Sequence, residues 1–478
     1  MNSSTLAVSR SPEKKRFEFP DIYIILLFFI VLVGVLSWFI PAGQYERETL
    51  ANGRESVVPG SYQQIEQTPV GPMDIIEAIP AGIEGAAAVV VLTLLVGGAV
   101  IVLQRIGVVD MGINLLLQRI GSRTELMIPI LVLVFGAIAA FIGTPELSLA
   151  YIPIILPLML RLGYDSMTAA ATAIMPCTLG FAFGITAPTT VGIGHLITGL
   201  PMFSGAGYRV MFWAIIMFST TVFILRYARR VKASPASSSM YVDDQKLRQE
   251  LLSEETTPAD HQYSTSLKLA GIVTLMMFIG IVAAIIIFGL GFNAISGLFL
   301  TMAVIASLIA GRSGNQICAD FNDAMKVMLP GAIISGVARG VSVTLEAGNT
   351  MDTLVFYLAT LISQLPEWAM AVGVVISQTS LNFLIPAGSG QMLVTLPVLS
   401  PVAELVGMNQ QVLVWSSNVA DGISNIFFPT SGYFIAALVA ARVDYIRWIR
   451  FYTPFFIFTL GVASFGAVVA NAIDYGPF

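Results

Sequence analysis

The amino-acid sequence predicts an all-α polytopic membrane protein made of two inverted repeats. Each repeat carries a re-entrant hairpin and a broken transmembrane helix, with about nine full spans plus two hairpins in all. Three observations lead there. Of 478 residues, 56% are hydrophobic and only 11% charged, and the mean hydropathy is +0.82; soluble domains carry about 25% charged residues. Gly, Pro and small polar residues interrupt long apolar runs at corresponding places in the two halves. With the N-terminus placed inside and two hairpins that do not cross, all but four of the 24 Lys and Arg (Arg47, Arg54, Arg209 and Arg339) fall on the cytoplasmic side or at cytoplasmic span ends, as the positive-inside rule requires.

Residues 1–20 read as a cytoplasmic tail, basic over Ser9–Arg16. The next apolar run is long enough to span, so it reads as a first helix and not a removed leader. The first transmembrane half covers residues 21–232. It opens with a span at 21–41, with Trp38 at its interfacial end, and a polar stretch at 42–75. A second span at 84–104 and an amphipathic, interfacial segment at 108–122 follow. A hairpin at 126–162 has its polar tip at Gly143-Thr144-Pro145-Glu146; two full spans are the alternative arrangement. A span at 167–199 is broken near Gly184–Gly194, and the half closes with a span at 208–229. Residues 233–266 are Ser-rich and charged, a solvated cytoplasmic linker with helical character over Gln245–Leu252. The second half, 267–478, adds spans at 268–289 and 294–311. It then repeats the first order: span 327–347, amphipathic 350–364, hairpin 368–406, broken span 410–438 and final span 451–472. Spans 21–41 and 294–311 with their neighbours are expected to form a scaffold.

Shared landmarks support the repeat. Pro153, Pro157, Gly163 and Asp165 recur as Pro397, Pro401, Gly407 and Asn409, with one Pro-x3-Pro-x5-Gly spacing. Pro188-Thr189-Thr190-Val-Gly192 answers Pro429-Thr430-Ser431-Gly432. Four landmarks in the same order and spacing point to a diverged internal repeat, and a pair in which the first hairpin enters from the cytoplasm and the second from outside is a transporter signature.

Backbone inside hydrocarbon must be hydrogen-bonded within the protein unless it lines a cavity. The hairpin tips and breaks are therefore the candidate site. For substrate, the candidates are Thr144, Glu146, Thr189, Thr190, Arg339, Ser389, Gly390, Gln391, Asp421, Thr430 and Ser431. Half-helix N-termini suit a carboxylate. Asn418, Asp421, Ser424 and Asn425 put several oxygens within eight residues and form a candidate Na⁺ site. The plainer reading is that these groups hydrogen-bond hairpin to helix. Arg339 either holds a substrate carboxylate or pairs with a nearby acid to fix two helices. Glu346 reads as interfacial, and His195 as an interfacial histidine or a proton relay. No cofactor is implied beyond a coupling Na⁺ or H⁺.

Competing classes find less support. Thr190-Val-Gly-Ile-Gly194 is similar to a potassium-channel filter, but a filter needs four such loops around one axis. There is no Gly-Lys-Ser/Thr phosphate loop and no HExxH motif. A membrane protease using Asp421 would need a second, facing aspartate. Cys177 and Cys318 make neither a disulfide framework nor a zinc spacing. Enzyme chemistry and nucleic-acid binding are not expected.

Several motifs resemble a known family. Arg339-Gly-Val-Ser, Asn382-x3-Pro386-Ala-Gly-Ser-Gly-Gln391, Pro397-x3-Pro401, Asp421-Gly-x-Ser-Asn425 and Pro429-Thr-Ser-Gly432 are similar to those of the YfcC family, as are Trp38-Phe-Ile-Pro-Ala-Gly-Gln44 and Val58-Pro-Gly-Ser-Tyr62. That family is related to the anaerobic C4-dicarboxylate carriers (DcuC-like) of the ion-transporter superfamily. The resemblance runs from about Phe19 to the C-terminus and is weakest over 233–266; Ser417-Asn418-Val-Ala420 departs from relatives that carry Gly next to Asp421. It implies a secondary transporter in the bacterial inner membrane, a homodimer with elevator-like movement. It also implies a small carboxylate-bearing substrate, either a basic amino acid such as arginine or ornithine or a C4-dicarboxylate. Glu146 and Asp421 suit the first, Arg339 the second.

Overall fold

The computed structural model describes residues 22–49, 55–109, 111–112, 115, 124–252, 263–288, 290–405 and 407–476. The expected cytoplasmic tail, most of the amphipathic segment at 108–122 and part of the 233–266 linker lie outside them. In chain order the elements are α1 (Ile22–Leu36), β1 (Gly43–Gln44), β2 (Arg47–Thr49), β3 (Glu55–Val57), β4 (Gln63–Gln64), α2 (Pro72–Gly85) and α3 (Ala87–Arg105). Then come α4 (Met127–Ile142), α5 (Ser148–Arg161), α6 (Ser166–Ala182), α7 (Ile193–Ile197), α8 (Ala206–Ala233) and α9 (Tyr241–Leu252). The second half holds α10 (Thr265–Phe288), α11 (Phe292–Ile309), α12 (Gly314–Ala347), α13 (Met351–Ser363), α14 (Glu367–Asn382), α15 (Gly388–Leu405), α16 (Gln410–Ser424), α17 (Gly432–Ala440) and α18 (Tyr445–Ala472). Among the described residues, α3, α8, α11, α12 and α18 are the five helices long and apolar enough to cross a membrane. The chain is thus a multi-pass, mainly helical membrane protein.

The shared landmarks are one turn built twice. Gly163 and Gly407 both sit at positive φ, +86° and +76°, a conformation glycine adopts without steric cost. Two residues on, Asp165 caps α6 by accepting from Thr168 N, and Asn409 caps α16 by accepting from Gln411 N. Packing recurs as well. In each half the first hairpin arm (α4, α14) and the second (α5, α15) both lie on the first part of the broken span (α6, α16), and the half's last helix (α8, α18) covers the same part. The short exit helices cross over: α7 packs on α15, and α17 on α5.

Small residues set the closest approaches. Ala78 and Gly82 of α2 meet Gly336 and Gly340 of α12, where a Cβ at Gly82 would lie 2.5 Å from Gly336 O and 2.7 Å from Gly340 N. This small-xxx-small crossing brings backbones together where lipid supplies no hydrophobic drive. Helix α12 starts at Gly314, ahead of the expected 327–347 span, and its N-terminal part packs on α3, where Arg105 reaches Asp320 and Asp323. Helix α2 itself falls between the expected polar stretch and the span at 84–104.

Two surface modules are more ordered than a polar stretch and a solvated linker; the helical character expected over Gln245–Leu252 is present within α9. Strands β1 and β4 pair antiparallel, as do β2 and β3. Their module is pinned by Asp352 in the first turn of α13, whose carboxylate accepts from Tyr45 N (3.0 Å) and Arg47 Nη2 (3.1 Å). Asp352→Ala would leave a buried donor unpaired, at about 1–3 kcal/mol. The expected result is faster proteolysis within residues 43–64, with Asp352→Asn intermediate because it keeps an acceptor. In the linker, α9 is docked. Arg248 donates to the carbonyls of Leu160 and Tyr164, Asp244 accepts from Ser166 N, and Asp243 pairs with Arg447 of α18. These charged residues satisfy the end of α5 and the start of α6, so the stretch is not uniformly solvated.

Candidate functional site

The two broken spans cross at their unwinding points. A Cβ on Gly422 would overlap Cα and Cβ of Ala182, so α6 and α16 touch backbone to backbone as each ends. Beyond this point the chain unwinds over 183–187 and 425–431, which leaves carbonyls that need donors. Asn418 Nδ2 reaches Ala182 O (2.8 Å) across the crossing. Asn382, at the end of α14, donates to Asp421 O (2.9 Å), Ser424 Oγ (2.8 Å) and Asn425 Oδ1 (3.1 Å).

The hairpin tips close onto these breaks. Ile185 N and Thr186 N donate to Ala140 O (2.8 and 3.2 Å), and Thr189 Oγ1 to Gly143 O (2.9 Å). That seats the first tip on the first break. The second tip lies on the crossing: a Cβ at Gly388 would stand 2.7 Å from Asp421 Oδ2, 2.8 Å from Phe181 Cζ and 2.9 Å from Thr190 Cγ2. The N-terminus of α15, Asp421 and Thr190 therefore meet at one place. Asp421 is fully buried, and neither carboxylate oxygen has a hydrogen-bond partner. Thr144, Thr190, Thr430 and Ser431 likewise present buried hydroxyls without partners. Glu146 sits in the first tip, which faces α3 and α11 across a small cleft lined by Leu92, Val96, Phe292 and Ile295.

Other sequence candidates have structural partners. Gln391 donates to Gln378 O and Oε1 between the hairpin arms (2.8 and 2.5 Å). Ser424 and Asn425 are engaged by Asn382, and Asn418 by Ala182, so of the four candidate Na⁺ ligands only Asp421 has a side chain wholly without a partner. Ser389 and Gly390 are half-buried in the first turn of α15. Arg339 pairs with Glu346 of its own helix at 3.1 Å and lies beside Gly85; it has an acid partner, but the pair does not join two helices. Thr190–Gly194 is wound into helical turns over Pro188–Gly192 and Ile193–Ile197. A filter would present an extended row of carbonyls, so the filter likeness is one of sequence only. His195 is buried within the protein, with Nδ1 accepting from Phe203 N (2.8 Å).

Sequence reasoning missed Asn382 as a donor to the break, Gln378, and Tyr433, whose hydroxyl meets Thr178 Oγ1 at 3.1 Å. Tyr433 directly follows the Pro429–Gly432 landmark, which was the available signal.

Comparison with known proteins agrees with this architecture. The chain is 29% identical to the proposed basic amino acid antiporter YfcC of Escherichia coli (strain K12), covering 93% of this chain and 94% of that protein. It is 25% identical to an uncharacterized protein of Haemophilus influenzae, covering 93% and 95%. Among solved structures, the YdaH transporter of Alcanivorax borkumensis aligns over 95% of this chain and 99% of its own, with a TM-score of 0.42 and 16% identity. The family model for the C4-dicarboxylate anaerobic carrier DcuC matches residues 19–472. Nearly the whole chain thus belongs to the DcuC family of membrane carriers.

Proposed function

We propose that this carrier exchanges a basic amino acid, with arginine or ornithine as the leading substrates, at the meeting point of the two hairpin tips and the two breaks. One observation carries the reading: Asp421 is a fully buried carboxylate with neither donor nor cation on it among the described residues. A buried charge costs several kcal/mol unless it is paired. A cationic substrate group, Na⁺ or H⁺ arriving at Asp421 removes that cost, and Glu146 in the first hairpin tip offers a second carboxylate. The N-terminus of α15 at Gly388, Ser389 and Gly390, with the hydroxyls of Thr144, Thr190, Thr430 and Ser431, supplies donors for the substrate carboxylate. The YfcC relative's proposed activity supports the same class.

The duplicated turns, caps and packing support two inverted repeats, with the first hairpin opening to the cytoplasm and the second outward. On this reading α4–α9 and α14–α18 move elevator-like against a scaffold of α1–α3 and α10–α13, in an inner-membrane homodimer with a cytoplasmic N-terminus. The family description favours a second substrate class, C4-dicarboxylates. That class would draw on Arg339, which the Glu346 pair occupies.

Counterflow in proteoliposomes loaded in turn with arginine, ornithine, succinate or fumarate, with and without Na⁺, separates these readings. Exchange of the basic amino acids, with Glu146→Gln raising the apparent KM about tenfold or more for the loss of one charge partner, supports the proposal. Exchange confined to the dicarboxylates replaces it with the second class.

A further inference from the structure

In each half, the fourth residue of the last helix donates to the carbonyl three residues before the proline of the break. In the first half this is Arg209 Nε to Ile185 O, at 2.9 Å, ahead of Pro188. In the second it is Trp448 Nε1 to Ile426 O, at 2.8 Å, ahead of Pro429. The positions are equivalent, but the chemistry is not: one donor is a guanidinium and the other a neutral indole.

Arg209 is buried, with 2% of its surface exposed, and no carboxylate is among its partners. Its remaining donors go to Phe203 O (2.9 Å) and Gln411 Oε1 (3.5 Å), and Tyr475 donates to Gly205 O of the neighbouring loop. It therefore joins the first break, the 201–205 loop and the start of α16. Phe203 is held at positive φ, +59°, a strained conformation for a bulky residue. His195 Nδ1 and Arg209 fix it from its N–H and its carbonyl. From Ile185 the hydrogen bonding continues through Ile185 N to Ala140 O, at the base of the first tip. With every donor group engaged by the protein, Arg209 acts through other residues and does not touch the site.

We propose that Arg209 is the positioning residue of the first break. Its charge-assisted bond to Ile185 holds the unwound backbone on which the first hairpin tip, Thr189 and Thr190 rest, and Trp448 plays the equivalent, weaker part in the second half. The link to transport rests on the site reading above; the structural role does not.

Amide hydrogen exchange on the full chain in nanodiscs tests it. Arg209→Gln is expected to speed exchange over 183–187 and 139–144 by about 10- to 100-fold, the range of a hydrogen bond to a charged group, and to leave 423–428 unchanged. Arg209→Lys, which keeps a charged donor, should recover most of the protection. Trp448→Phe should act only on 423–428, by about two- to tenfold. A uniform rise across both breaks, or none at the first, overturns the proposal. If Arg209→Gln cannot be recovered folded, the Arg209→Lys and Trp448→Phe patterns decide alone: failure of Trp448→Phe to act selectively on its own break would sink the equivalence. In arginine or ornithine counterflow, Arg209→Gln should raise KM more than it lowers the maximal rate. Silent counterflow with the selective exchange pattern intact would count against the substrate site and not against Arg209.

Discussion

Asp421→Asn is expected to lower counterflow at least about 100-fold while the purified protein melts no lower than wild type. Most losses of function in a packed core come with losses of stability, so the combination is diagnostic. It follows from the lack of partners on either carboxylate oxygen in a fully buried residue. An ionised group so placed destabilises the empty state, and the isosteric amide removes the charge while keeping the shape. The backbone bond from Asn382 to Asp421 O is untouched by the change. What is lost is the attraction for the incoming cation. Counterflow of arginine or ornithine beside a thermal melt of the same preparation would read both quantities. Wild-type counterflow in the variant would remove Asp421 from the site.

Gly422→Leu should have the opposite profile, with little folded protein recovered at all. The added Cβ alone would overlap Cα and Cβ of Ala182, and backbone cannot move aside as a side-chain tip can. Overpacking costs about 1–3 kcal/mol where neighbours relax and more where they cannot; a leucine at a backbone crossing belongs to the second case. Gly180 faces Gly136 O with no more room, so the strain cannot be passed along α6. Size-exclusion profiles and yield from membranes measure the effect, with Gly422→Ala as the milder step. A monodisperse Gly422→Leu protein of wild-type stability would mean that α6 and α16 do not cross as described.

The parts of this fold that were legible in sequence are those where a residue type has one backbone use. Gly163 and Gly407, with Asp165 and Asn409 two residues later, mark the two turns because left-handed backbone and helix caps each admit few residues. The breaks at Pro188 and Pro429 were visible for the same reason. What escaped depended on distant partners. Arg209 stood out only as an arginine on the wrong side of the membrane, and nothing local shows that it reaches back to Ile185. Arg248, Asp243 and Asp244 looked like solvated linker charges because the carbonyls and the arginine they bind are far away in sequence. Arg339, by contrast, had its acid partner two turns along its own helix; the sequence reading offered an acid partner, but one that would tie two helices together.

The docking of α9 also offers an optical handle. This helix grips the start of α6 and the N-terminal turn of α18, the elements that lead into the first break and follow the second. Gln245 and Lys246 are exposed on its outer side. A fluorophore at either position would ride with the proposed moving body without entering the bilayer, and quenchers fixed on lipid headgroups would turn its vertical travel into an intensity record of single transport cycles.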